Sequence, residues 1–337
     1  MTEVVSRAPT RIDLAGGTLD IWPLSLLVEG AATINAAIDL EATARLTARS
    51  DGAVRLRSLD QGIEESYASI REVRSDGRLG FLARLALELP PPSGVDLETD
   101  AVAPAGSGLG GSSALGIAVG AGLARLRGEE LSAEDLLRLV QSVETQVLRV
   151  PTGVQDYYPA LRGGVLSIRY GPRGTRAERL EVDLAALQDR LVLCFTGASR
   201  SSGVSNWDML KGYLDGDSRV VEGIGRVAVA TRRMESALRS GDLDGAALAL
   251  GEEWQARKTL SRKVSSAMIE SQMTAAREAG ALAGKVCGAG GGGCLVFLTR
   301  PGCRDAVGRA LESRGARILP ARLQESGLRL EATNLSR

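Results

Sequence analysis

The sequence predicts an α+β protein in two parts, and three observations carry that prediction. Alternating apolar and polar residues crowd the first third of the chain, as strands with one wet face require. A glycine-rich loop then opens onto two helical stretches. The remainder runs strand, helices, strand, helix, strand, the order of a split α+β sandwich.

Taken in order, "VVSRAP" (Val4 to Pro9) and "RIDLAGG" (Arg11 to Gly17) predict two strands. "AATINAAID", "LEATARLTAR" and "AVRLRSL" predict three more, with clear alternation from Ala42 to Arg49. "RLGFLARLALELP" has helical spacing and must stop at Pro90-Pro91-Pro92. "GVDLETDAV" predicts the strand that feeds the glycine loop. Helices are expected over Ser112 to Arg127 and Ser132 to Leu148, the second opened by Ser132 with Asp135 three residues on. After "GGVLSIRYGP" comes a strand, "RLVLCFTG", then a mostly helical region from Val204 to Ala279. "GGCLVFLT", a helix over Cys303 to Ser313, and "ARILPARL" close the chain. A soft boundary falls near Arg173 to Leu187, dividing residues 1–180 from 181–337.

Composition excludes several function classes. Of 337 residues, 41 are Lys or Arg and 41 are Asp or Glu, so no net field holds nucleic acid or an anionic membrane. No apolar run approaches the ~20 residues needed to span a bilayer. The opening "MTEVVSRAPTRIDLAGG" lacks the order of a signal peptide, so a cytoplasmic setting is expected. The four cysteines form no C-x-x-C pair, and with no histidine a zinc site is not expected. The missing histidine also removes Ser-His-Asp and Cys-His catalysis. If the chain is an enzyme, its general base is expected to be a carboxylate, a lysine or a less common group.

Glycines are costly to order, so "PAGSGLGGSSALG" (Pro104 to Gly116) needs a reason for its five. One is a phosphate cradled by backbone N–H groups at a helix start; the other is a tight turn with ordinary serine capping. Gly106, Gly108 and Gly111 satisfy G-x-G-x-x-G, as do Gly288, Gly290 and Gly293. Neither is followed by a strand ending in an acidic residue about 20 positions on, which argues against a dinucleotide fold. No Lys follows the glycines, so a Walker loop fails as well.

"PAGSGLGGSSALG" resembles the second motif of the GHMP kinases, the family of galactokinase, homoserine kinase, mevalonate kinase and phosphomevalonate kinase. "RAPTRIDLAGGTLDIWP" is similar to the family's first motif and "KVCGAGGGGCLVFL" to its third, in the family's order. "PTGVQDYYPALRGG" resembles the segment carrying the base in sugar kinases, and the pattern is closest to kinases of D-glycero-D-manno-heptose 7-phosphate. Gly111 stands where that branch has serine, Leu19 where Thr is common, and Tyr157 where it has Gln.

The resemblance implies a two-domain fold: an N-terminal ATP-binding, ribosomal-protein-like α/β domain and a C-terminal ferredoxin-like α+β domain. It also implies phosphoryl transfer from ATP with Mg²⁺ to a sugar or sugar phosphate, at the anomeric hydroxyl by analogy with the heptose kinases. Pro104, Gly106, Ser107, Gly108, Leu109, Gly110, Gly111, Ser112 and Ser113 would hold the ATP phosphates. Ser112 and Glu144 would ligate the metal, Asp156 would be the general base, and Arg11 would stabilise the nucleophile and the phosphoryl charge. Gly17, Thr18, Asp20, Gln155, Asp156, Thr196, Arg200, Gly288 and Gly290 would meet the substrate. Thr196 and Arg200 belong to "FTGASRSSG", a donor-rich loop that suits a second anion or is simply a polar turn. The expected partner is a small sugar molecule, with neither nucleic acid nor membrane, and a homodimer is allowed. Phosphorylation of mevalonate and a non-catalytic ATP- or sugar-binding regulator remain the alternatives; the sugar-type "GVQDYY" and the retained acidic and serine residues weigh against them.

Overall fold

The computed structural model describes residues 2–198 and 203–334, with the side chains of 203–205 and 334 left aside. Its first sheet is built on two long strands, β1 (Thr2–Ala15) and β2 (Ala32–Arg49), paired antiparallel. Each joins two stretches that the sequence divides. Register shifts between Ala8 and Thr10 and between Asp13 and Ala15 absorb the irregularity, so Pro9 bends β1 without ending it.

β3 (Val54–Ser58), β4 (Ile63–Tyr67) and β5 (Gly94–Ala101) extend the sheet, while β6 (Val165–Arg169) and β7 (Arg176–Arg179) branch from the start of β2. One half of β2 pairs with β6 and the other with β5. β4 and β7 are short and largely exposed, and carry too little apolar alternation to be read as strands.

Besides the short α1 (Leu24–Leu27), the helices of this half are α2 (Gly80–Glu88), α3 (Gly111–Arg127), α4 (Ala133–Leu148) and α5 (Tyr157–Arg162). α3 is apolar all round because it is enclosed: Ile117, Val119 and Leu123 are fully buried among Leu46, Leu85 and Val140. Ser132 caps α4 by accepting from the N–H of Asp135.

After α6 (Leu184–Arg190) the second sheet begins with β8 (Leu191–Phe195). The helices α7 (Gly203–Leu214), α8 (Ser218–Ser240), α9 (Leu243–Leu260) and α10 (Ala267–Glu278) follow, then β9 (Ala281–Val286), β10 (Cys294–Thr299), α11 (Arg304–Glu312) and β11 (Arg317–Ile318). This sheet is antiparallel throughout, in the order β11-β8-β10-β9. "ARILPARL" supplies only the two residues of β11, because Pro320 interrupts it.

The chain does not part cleanly at residue 180. Its last strand, β12 (Arg329–Asn334), returns to pair with β1 on the first sheet. One apolar cluster also joins Ile12, Leu14 and Ile34 of the first sheet to Cys294 and Val296 of the second. No described helix is long and apolar enough to cross a membrane.

Candidate active site

The glycine loop follows β5 and ends where α3 begins. Gly108 and Gly110 have φ of +75° and +73°, a region that side-chain-bearing residues avoid. Space is equally restrictive. A Cβ on Gly108 would lie 2.4 Å from the carbonyl oxygen of Cys287, and one on Gly110 would lie 3.2 Å from the side chain of Asp156. Gly110 caps α3 without any side-chain bond, so the first-turn N–H groups remain open to an anion. Gly111, Ser112 and Ser113 of that turn line a cavity of about 430 Å³.

The two glycine motifs, far apart in sequence, pack backbone against backbone. The N–H of Cys294 donates to the carbonyl of Ser107 at 2.8 Å. Thr196 supports the same contact from behind: its N–H and its hydroxyl both donate to the carbonyl of Gly293, each at 2.9 Å.

Arg11 leaves β1 beneath this loop, with its own N–H donating to the carbonyl of Leu109. Its Nε and Nη2 both donate to Oδ1 of Asp156, at 2.9 and 2.5 Å, and Nη1 donates to the carbonyl of Gly108 at 2.5 Å. Burial alone would lower the guanidinium pKa. The charges of Asp156 and then Asp13 more than offset it, so Arg11 is held above its ordinary value. Asp156, just before α5, is the more exposed partner and lines the cavity.

Glu144 projects from α4 to the first turn of α3, where its Oε2 accepts from the hydroxyl of Ser113 at 3.0 Å and from Tyr157 at 2.5 Å. Burial raises the Glu144 pKa, although the hydrogen bond from Tyr157 lowers it in part. The neighbouring Ser112 hydroxyl also lowers this pKa in part. A mostly buried carboxylate beside two hydroxyls and a helix N-terminus suits a hard divalent cation that keeps its waters and phosphate oxygens. Among the described residues no cluster of three or more carboxylates or thiols offers another such place. The donor set therefore fits magnesium with a phosphate-bearing ligand.

Asp20 also lines the cavity. The backbone N–H and the side-chain amide of Gln155 both donate to its carboxyl group, at 3.1 and 3.3 Å. Burial, reinforced by the negative charge of Asp156, pushes its pKa up to about 6.

The cavity brings together Arg11, Thr18, Asp20, Glu144, Gln155, Asp156 and Gly288 with Pro104, Gly106, Ser107, Gly108, Gly110, Gly111, Ser112 and Ser113. Four expected residues stand behind its wall. Leu109 is fully buried and offers its carbonyl to Arg11, and Gly17 packs on Asp13 and Arg257. Gly290 abuts Val264, and the hydroxyl of Thr196 is engaged by Gly293. Arg200 lies outside the described residues.

The sequence reading missed Tyr157 as the partner of Glu144, where only its departure from Gln was visible. It also missed Phe81, Leu82, Asp60, Gln61 and Asn206, which line the cavity from α2, the turn between β3 and β4, and α7. Nothing local marks them, since each reaches the cavity only through tertiary packing. Cys194 and Cys287 are raised to about 12, chiefly by burial, and so are inert thiols.

Residues 78–164 match the family described as GHMP kinases N terminal domain, and residues 234–317 match GHMP kinases C terminal. A D-glycero-alpha-D-manno-heptose 7-phosphate kinase of Campylobacter jejuni is 29% identical over 310 residues, 89% of this chain and 91% of that protein. A mevalonate kinase of Aeropyrum pernix is 32% identical over 239 residues, 68% of each chain. The crystal structure of a D-glycero-D-manno-heptose 1-phosphate kinase from Bacteroides thetaiotaomicron superposes with a TM-score of 0.81 at 25% identity, covering 99% of this chain and 100% of that one.

Proposed function

The chain belongs to the GHMP kinases, and on that premise we propose that it transfers the terminal phosphoryl group of ATP to a hydroxyl of a sugar or sugar phosphate. A heptose 7-phosphate is the first candidate, with the anomeric hydroxyl as acceptor. The observation that supports this most is the Arg11–Asp156 pair, set in the cavity between the open N-terminus of α3 and Asp20.

Magnesium-bound ATP supplies the transferable phosphoryl group and neutralises its charge when bound. The first-turn N–H groups of α3 would hold phosphate oxygens, and Glu144 with Ser112 and Ser113 would hold the metal. Arg11 occupies Oδ1 of Asp156 with two donors, which leaves Oδ2 to accept the proton of the acceptor hydroxyl. The same guanidinium stabilises charge spreading from the transferred group. Phe81 and Leu82 give the cavity an apolar wall suited to a nucleotide base. Thr18, Asp20 and Gln155 bind acceptor hydroxyls. A cytoplasmic setting is consistent with this substrate pair.

Mevalonate is the second candidate, favoured by the similarity to mevalonate kinases. Against it, Asp20 and Asp156 present two carboxyl groups to the acceptor end while Arg11 is already paired. A substrate carboxylate there meets like charge. ADP release in the presence of hexoses, heptoses, their phosphates and mevalonate tests the proposal. Turnover of a heptose phosphate supports it, turnover of mevalonate alone replaces the acceptor, and ADP release with none of them points to a non-catalytic role.

A further inference from the structure

Four fully buried charged residues meet behind the acceptor end of the cavity, and the proposed mechanism uses none of them. Asp13 comes from β1, Glu253 and Arg257 from successive turns of α9, and Lys285 from β9. Lys285 Nζ lies 3.0 Å from both Asp13 Oδ2 and Glu253 Oε1. Arg257 donates to Glu253 Oε1 from Nε at 3.0 Å and from Nη2 at 2.6 Å. All four side chains have no solvent exposure.

Two positive and two negative charges cancel, so the cluster is balanced. A balanced buried cluster is weak evidence for stability, because desolvation offsets most of the attraction. Its geometry shows a more specific use. The remaining donors of Arg257 leave the cluster: Nη2 also bonds the carbonyl of Gly17 at 2.7 Å, and Nη1 bonds the hydroxyl of Thr18 at 3.2 Å. Thr18 is a β-branched residue at φ +80°, a conformation that persists only where surrounding contacts enforce it. Gly17 is pressed against the same group, since a Cβ there would lie 2.3 Å from Asp13 Oδ2. Two residues on, the turn delivers Asp20 to the cavity.

We propose that Arg257 is a positioning residue for the acceptor: from α9 it fixes the strained Gly17–Thr18 turn, and through it the orientation of Thr18 and Asp20. Glu253, Lys285 and Asp13 hold the guanidinium with its fork toward that turn. A lysine cannot do the same, because its ammonium lacks the planar fork that serves a carbonyl and a hydroxyl while paired with a carboxylate. This deepens the acceptor-site assignment made above and rests on it.

The test uses the full chain and two variants. Glu253→Gln combined with Arg257→Met removes one charge of each sign, and Arg257→Lys keeps the charge and removes the fork. Amide hydrogen exchange reads the turn directly. Exchange over residues 16–21 should quicken in both variants, with protection of α9 and calorimetric binding of magnesium–AMPPNP unchanged. In ADP-release assays with D-glycero-D-manno-heptose 7-phosphate, the sugar KM should rise about 10- to 100-fold, the scale of a small misplacement of a positioning group. The KM for ATP should stay within about twofold. Unchanged exchange in the turn overturns the proposal, and so does a general loss of protection with both KM values rising together. If the wild-type protein phosphorylates no sugar, the exchange measurement still decides the role of Arg257, and only the acceptor assignment fails.

Discussion

Arg11 grips a single oxygen of Asp156: Nε and Nη2 both reach Oδ1, and Oδ2 stays outside the pair. In the proposed mechanism this division gives each carboxylate oxygen its own task, one to orient the group and one to take a proton. Asp156→Asn can keep an acceptor toward Arg11 but loses the basic oxygen. Turnover should fall by roughly 10²-fold or more, the scale of a lost general base, while binding of magnesium–AMPPNP stays close to wild type. A loose phosphoryl transition state demands little of a base, so the fall sets how much Asp156 supplies. Turnover within twofold of wild type assigns the proton to another group.

Metal dependence should follow Glu144. Glu144→Gln, Ser112→Ala and Ser113→Ala should each raise the Mg²⁺ concentration needed for half-maximal rate at fixed ATP, since each removes an oxygen from the site. Tyr157→Phe tests the support behind them. Its hydroxyl stabilises the Glu144 carboxylate, so its loss lets burial raise that pKa further. The extra Mg²⁺ requirement should therefore be largest at low pH and shrink as pH rises. Mg²⁺ titrations at several pH values measure it, and a pH-independent change in Tyr157→Phe rejects this link.

Asp20 should leave a mark on stability as a function of pH. Folding raises its pKa from the model-peptide value of 3.8 to about 6, through burial and then the charge of Asp156. A raised pKa means that the protonated form favours the folded chain. That contribution is complete below about pH 4 and is lost as pH climbs through about 6. Asp20→Asn should thus be more stable than wild type above pH 7, by at most roughly 3 kcal/mol for a shift of about two units, and no more stable near pH 4. Urea midpoints across pH 4 to 8 give the comparison. A constant difference over that range excludes Asp20 as its source.

Arg200 carries the prediction about a second anion. Arginine holds phosphate through charge-assisted, paired hydrogen bonds worth roughly 1.5–3 kcal/mol. Arg200→Ala should raise KM about 10- to 150-fold for a sugar that already bears a phosphate, and hardly change it for the free sugar. The pair of substrates is the control. Equal losses on both reject Arg200 as the anchor, and a wild-type preference for the free sugar rejects the phosphate.

What the amino-acid sequence determined by itself is local. "PAGSGLGGSSALG" announces bare backbone before a helix because positive φ and a missing Cβ are properties of single residues. Ser132 with Asp135 announces the start of α4 for the same reason. The alternation from Ala42 to Arg49 marks half of β2, since side-chain direction alternates along any strand. Tertiary structure decided what depends on residues distant in sequence. Arg11 and Asp156 are 145 positions apart, Thr18 and Arg257 are 239, and no periodicity links either pair. The return of β12 to β1 and the contact of one glycine loop with the other are equally non-local. Charge–charge and hydrogen-bond partners are chosen by distances of a few ångströms in space, and only the folded backbone sets those distances.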